Sequence, residues 1–352
     1  MSTHPLNRCR REEPTMNDNT RISAHIAMLL AVLFWGVSYV GTKLALDGFP
    51  PLSLAFLRFA FAGLLFALVL ALRGWPETTR VFHRKVATLA CFLPGLYFIF
   101  ENYGIKYTTA GKASMIIAMV PVAVSLLSVL VLGEKLTLKR ILSLALSLAG
   151  IYLLLLYGKG GGSLFEIALG DLLMFGAVGA AAVYMLLTRK LCAEYDPILI
   201  TSFQMIYGGL FFTPFFLFEV GSIDWVAVNS EQWGALLILT LFSSVGAFFT
   251  YNYALKFVPA SRASLFVNIV PFVTVLTAWG LLGERLSVPQ LGGGLLVIVA
   301  AFLASTPDTE PTRETLVRCA RKESRTPDPM FDHKISMTEL HNPERQGNLK
   351  ES

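Results

Sequence analysis

Apolar residues fall into ten blocks along the chain, separated by short polar turns. The blocks cover residues 26–45, 52–72, 86–104, 110–132, 141–157, 170–188, 198–219, 234–254, 263–282 and 288–305. A hydrocarbon core about 30 Å thick takes roughly 20 helical residues. Lipid offers backbone groups no water to pair with, so the blocks predict helices rather than open strands. Outside them the pattern changes. The first 25 residues are polar, and no small-residue cleavage site follows the first block, so that block reads as an uncleaved anchor. From residue 306 onward the chain is rich in charge and proline with no apolar period, which predicts a disordered cytoplasmic tail.

Composition narrows the class. Hydrophobic residues make up 54% of the 352 and charged residues only 15%, where a soluble domain carries about 25% charged. This excludes a disordered chain, a disulfide scaffold and an ordinary soluble enzyme. The net charge of +5 reflects topology. With the N-terminus in the cytoplasm, inside segments hold fifteen Lys and Arg, and outside segments hold five: Lys43, Lys106, Lys112, Lys159 and Arg285. That asymmetry places both ends of a ten-span chain in the cytoplasm of a bacterial inner membrane. The basic excess forms no stripe and accompanies no glycine-rich phosphate loop, so no nucleic-acid partner is expected. Cys9, Cys91, Cys192 and Cys319 are scattered, and all five histidines lie outside the spans. No metal, no cofactor and no catalytic residue is expected.

The chain repeats itself. Shifted by 150 residues, 102–136 lies on 252–286 without a gap, and thirteen of thirty-five positions are identical. The identities include Asn102/Asn252, Lys106/Lys256, Pro121/Pro271, Gly133/Gly283 and Glu134/Glu284. A weaker match at a shift of 146 sets Pro51 on Pro197 and Arg58 on Gln204. Each copy holds five spans. An odd number makes the second copy enter from the opposite side, giving two inverted halves related by an axis in the membrane plane. The expected fold is all-α and integral to the membrane: ten helices in two inverted five-helix repeats around a central cavity. The expected segments are a cytoplasmic N-terminus (1–25), a first repeat (26–157), a periplasmic linker (158–169), a second repeat (170–305) and the tail (306–352).

The sequence also resembles a known family. FWG at 34–36, Arg58 after Pro51, GIKYTTAGKASMIIAMVPV ending in LGEKLT, its copy ALKFVPASRASLFVNIVPF ending in LGERLS, and GD at 170–171 are similar to the drug/metabolite transporter superfamily, EamA type. The resemblance spans residues 26–305. It implies a central cavity and the movement of a small metabolite such as an amino acid.

Several residues stand out as candidates for that work. A charge in an apolar block faces a cavity or a partner, which singles out Arg58 for a substrate carboxylate. Glu101 falls at a similar depth, so the two could meet, and it is the candidate for proton coupling. Asn102, Asn252, Asn268 and Gln204 are polar groups that must face another helix or the substrate. Trp35, Tyr39, Tyr184 and Tyr251 offer aromatic surface to an apolar portion. Pro121 and Pro271 remove a helical hydrogen bond and should kink their spans. The expected function is a secondary transporter, not an enzyme. It moves a small amphipathic metabolite, an amino acid or a relative, in the export direction by alternating access. Uptake or exchange of a nucleotide-like or S-adenosyl metabolite is the alternative, ahead of a membrane enzyme or a passive channel. The partners are the substrate, the bilayer and protons, with the chain as a monomer or homodimer.

Overall fold

Eleven helices account for the regular structure of the described residues in the computed structural model. Those residues are 18–132, 137–156, 169–192, 194–255, 257 and 266–305. Residues 1–17, most of the 158–169 linker, Glu134 and the 306–352 tail lie outside them. The helices are α1 (Asp18–Ala45), α2 (Pro51–Arg73), α3 (Arg80–Tyr107), α4 (Ala110–Ile117), α5 (Val120–Leu132), α6 (Leu138–Leu156), α7 (Leu169–Leu191), α8 (Pro197–Glu219), α9 (Ser230–Ala254), α10 (Val270–Leu282) and α11 (Val288–Ser305). Seven described helical segments are long and apolar enough to cross a membrane, and three shorter apolar helices accompany them: Ile141–Gly150, Val270–Leu282 and Val288–Leu303. The count of ten full spans is therefore met in the described residues only as seven long and three short.

Local sequence sets where the helices begin. Pro51 and Pro197 open α2 and α8, where a missing N–H costs nothing. Thr79, Thr109 and Asp196 cap the first turns of α3, α4 and α8 with side-chain oxygens, and Asn229 with Gln232 forms a capping box before α9. Burial runs opposite to that of a soluble helix. Along α2, Leu64, Leu68 and Leu72 are more than half exposed, while Arg58 is 2% exposed. Only a lipid solvent makes that arrangement favourable, since it rewards outward leucine and penalises outward charge.

The inverted repeat is visible in the packing. A Cβ on Gly63 of α2 would stand 3.0 Å from the Ile206 Cα, and a Cβ on Gly209 of α8 would stand 3.2 Å from the Ala60 Cα. The 146-residue shift turns Gly63 into Gly209 and Ala60 into Ile206. The α2–α8 contact is thus made of two equivalent halves, and small residues let the backbones close on each other. Breaks in the helices repeat too. A π-helical segment interrupts α3 at Cys91–Leu96 and another interrupts α9 at Leu239–Ala247, which overlap under the 150-residue shift. The fourth span breaks between Ile117 and Val120, with Pro121 the second residue of α5. Residues 268 and 269 make the matching break before α10, whose second residue is Pro271. Of the glycines at 292–294, Gly294 packs against Met115 and the Gly293 carbonyl meets Gly150, all within the monomer.

One end of the bundle is tied by polar contacts that cross between the two halves. Asp171 of α7 accepts from Thr108 Oγ1 at 2.8 Å and from Lys112 Nζ at 2.5 Å. Glu284 accepts from the backbone N–H groups of Ala110 and Gly111, both at 3.1 Å, and so caps α4. Glu219 accepts from Ser53 N and Oγ at 2.8 and 2.9 Å, in the first turn of α2. Each carboxylate sits where a helix N-terminus carries partial positive charge. Lys43 serves the opposite pole, donating to the carbonyls of Ile105 and Thr108 at the end of α3, both at 2.6 Å.

The Lys112–Asp171 pair is almost wholly buried. Asp171→Ala should destabilise the purified chain by about 3–5 kcal/mol, because it strands a buried ammonium. The paired change Lys112→Met with Asp171→Leu should recover most of that loss. Thermal unfolding in detergent reads both.

A polar column through the two halves

Arg58, on α2, is a buried cation, 2% exposed. Its Nε donates to Ser244 Oγ and its Nη2 to Ser243 Oγ, each at 2.6 Å. Both serines belong to the π segment of α9, on the other half of the protein. The guanidinium also lies over the Phe98 ring, 4.5 Å from its centroid. A planar cation is suited to donating at its edge and stacking on its face at once.

Glu101, one helical turn beyond Tyr97 on α3, accepts from the Tyr97 hydroxyl at 2.8 Å. The Tyr97 hydroxyl is in turn 3.4 Å from that of Tyr39. Glu101 lies within electrostatic reach of Arg58, but the two do not form an ion pair. The ion pairs seen among the described residues include Lys85–Glu194 and Lys112–Asp171. The expected meeting of Arg58 and Glu101 is thus replaced by a near approach. The serines engage two of the guanidinium nitrogens, Phe98 covers its face, and Tyr97 takes the carboxylate.

Gln204 is the repeat counterpart of Arg58 and docks in the corresponding way. Its Nε2 donates to the Leu93 carbonyl at 2.8 Å. Leu93 lies in the π segment of α3 and adopts an extended backbone at φ −141°, ψ 114°, out of register with the helix. Under the 150-residue shift Leu93 falls on Ser243. Each half therefore sends one side chain from its second helix into the broken third helix of the other half. In one direction the link is a charged fork on two hydroxyls. In the other it is an amide on a carbonyl.

Trp35 packs on Tyr251 at 4.9 Å and on Phe248 at 5.4 Å. Tyr184 is buried beside Tyr251, and its hydroxyl faces the side chains of Thr188 and Gln204 without closing a normal hydrogen bond to either. Asn102 donates to the Pro51 carbonyl at 2.8 Å, and Asn252 donates to Thr201 Oγ1 at 2.5 Å. The Thr201 hydroxyl in turn donates to the Pro197 carbonyl. Both Asn side chains thus brace the start of the preceding helix. Asn268, at the break before α10, has neither side-chain polar atom bonded to the protein. At the bundle end near Glu219, a cavity of about 390 Å³ is lined by Asp47, Tyr103, Lys106 and Glu219 among others. Beyond the end of α7, burial pushes the Cys192 thiol up to about 11, so it stays protonated and weakly nucleophilic.

The EamA-like transporter family matches residues 22–156 and 168–306. The chain belongs to that family. It is a multi-pass membrane transporter, and it works on a small molecule in a lipid environment. An uncharacterized transporter of Archaeoglobus fulgidus is 30% identical over 281 residues, covering 79% of this chain and 97% of its own. The Bacillus subtilis transporter YetK is 27% identical, over 84% of this chain and 91% of its own. A probable terminal-alkyne amino-acid exporter of Streptantibioticus cattleyicolor is 26% identical, over 86% and 96%. A solved crystal structure shares the fold, with a TM-score of 0.56 at 20% identity over 80% of this chain and 96% of its own.

Within this transporter, Tyr97, Thr188, Ser243 and Ser244 join the site without having been singled out from the sequence. The signal existed in part. Tyr97 stands one turn before Glu101, and Thr188 one turn after Tyr184. Removing both hydroxyls on Arg58, with Ser243→Ala and Ser244→Ala, should cost on the order of 3 kcal/mol or more, since hydrogen bonds to a charged group are the stronger kind. Thermal unfolding of the single and double variants in detergent measures it.

Proposed function

We propose that this chain is a secondary transporter of a bacterial inner membrane that exports a small amphipathic carboxylate, an amino acid or a close relative, by alternating access. The observation that carries this reading is Arg58. It is a permanent cation held in a water-poor core by neutral serines rather than by an acid. A guanidinium in that setting has unspent charge, and a bidentate carboxylate is the ligand that fits it. The Phe98 and Phe59 rings supply apolar surface beside it. The name of the Streptantibioticus cattleyicolor relative supports the amino-acid class and the export direction.

A nucleotide-like or S-adenosyl substrate fits less well. The buried cations among the described residues are Arg58 and Lys112, and Lys112 is committed to Asp171. The charge asymmetry puts both termini in the cytoplasm, with the Asp171 and Glu284 contacts at the outer face. Those contacts hold the outer end shut while the inner end serves the substrate. Glu101 carries the coupling proton, with Tyr97 between it and Tyr39 as the relay. The kinks at Pro121 and Pro271 let the outer and inner halves of their spans move separately. Two five-helix repeats, 26–157 and 170–305, are the moving bodies, and the monomer is the transport unit.

Counterflow in proteoliposomes tests the reading, with one unlabelled amino acid preloaded at a time. Transient accumulation of the labelled form above equilibrium is expected, and Arg58→Gln should reduce it at least tenfold. Absence of accumulation across a broad panel, from folded protein, would remove the amino-acid class. Glu101→Gln should keep counterflow and abolish uphill movement driven by a pH gradient. Uphill movement that survives would take the proton role from Glu101.

A further inference from the structure

The Gln204 dock has chemistry that Arg58 does not share. The Gln204 amide nitrogen faces the Leu93 carbonyl, which can only accept, so Nε2 must point there and Oε1 is left free. Oε1 is fully buried and bonded to no protein group. The same logic fixes Asn252. The Thr201 hydroxyl donates to the Pro197 carbonyl, so its oxygen accepts, and the Asn252 nitrogen must face it. Asn252 Oδ1 is then a second buried, unpartnered acceptor. Thr201 and Gln204 are three residues apart on α8, on one face, so the two acceptors belong to neighbouring turns. The Tyr184 hydroxyl and Thr188 Oγ1, one turn apart on α7, complete the group: Tyr184 faces Thr188 and Gln204, and neither hydroxyl closes a normal hydrogen bond.

Burying a polar atom without a partner costs several times what a normal hydrogen bond returns. Four such atoms in one neighbourhood, two of them obligate acceptors, call for a ligand with several N–H donors. No cation of the protein is bonded to them. We infer that Gln204, Asn252, Tyr184 and Thr188 form a second binding station, selective for the ammonium group of the transported molecule. This rests on the proposed function for the direction of the path, and extends it to the opposite pole of the substrate. Carboxylates are turned away here, because two fixed carbonyl oxygens repel them. They are held at Arg58 instead.

The two stations are separated along the membrane normal. Arg58 is seven residues into α2 and Gln204 seven residues into α8, which run from opposite faces. At 1.5 Å per residue each Cα lies about 10 Å deep, in opposite halves of a core roughly 30 Å thick.

Three probes separate the stations: phenylalanine, 3-phenylpropionate, which lacks the ammonium, and phenethylamine, which lacks the carboxylate. Each is titrated against the purified full chain, with thermal stabilisation as the readout. In the native chain all three should stabilise. Tyr184→Phe, Thr188→Val and Gln204→Met should each weaken phenethylamine tenfold or more and leave 3-phenylpropionate within twofold. Arg58→Gln should do the reverse. The first two changes remove only a hydroxyl or swap it for a methyl group, so they keep the test open if Gln204→Met fails to fold. If phenethylamine gives no response, or the inner variants leave its response unchanged, the ammonium station is overturned and the cluster is one filled by water. If 3-phenylpropionate alone fails, the carboxylate role of Arg58 falls and the ammonium station stands. Silence from all three overturns both.

Discussion

Arg58 cannot give up its proton, and the helix that carries it turns leucine toward lipid on its other faces. A guanidinium in that position must be satisfied from within the protein. The partners it finds are two serine hydroxyls on a helix of the other half. Both serines lie in the π segment at Leu239–Ala247, where the widened turn interrupts the regular helix. The break in α9 and the charge on α2 are therefore parts of a single arrangement.

The second half repeats the arrangement with weaker chemistry. Gln204 reaches the α3 break as Arg58 reaches the α9 break, and α2 and α8 meet at Gly63 and Gly209 as mirror parts of one contact. What differs is the strength of the bond. A charged fork on two hydroxyls is harder to separate than one amide on one carbonyl. A molecule built from equivalent halves thereby acquires two docks of unequal strength, one toward each end. At the end holding α4 and α7 the halves are joined further by Asp171 and Glu284.

Much of this was readable from the chain. The repeat, the all-helical class and the isolation of Arg58 follow from apolar blocks and a 150-residue shift. Shifting the sequence even named Gln204 as the counterpart of Arg58. What it could not supply was the partner of each. Ser243 and Ser244 sit in an apolar block with nothing to mark them, and the π turn that aims them has no simple sequence sign beyond Pro94 in the other copy. Lys112 and Asp171 looked like ordinary charges at helix ends, since pairing across 59 residues leaves no local pattern. Arg58 and Glu101 were the reverse case. Similar depth suggested contact, but rotation about each helix axis decides contact, and rotation depends on packing.

The distance along the chain between Arg58 and its serines, 185 and 186 residues, has a meaning for biogenesis. A ribosome adds about 5–20 residues per second, so α2 leaves the insertion machinery some ten to forty seconds before α9 exists. Through that interval the nascent chain holds a cation with no hydroxyl to receive it. The second helix must wait near the headgroups or in the aqueous part of the translocon, and it reaches its final depth only when the eighth span arrives. Assembly of this protein is thus paced by its last third, whatever the order in which its helices are made.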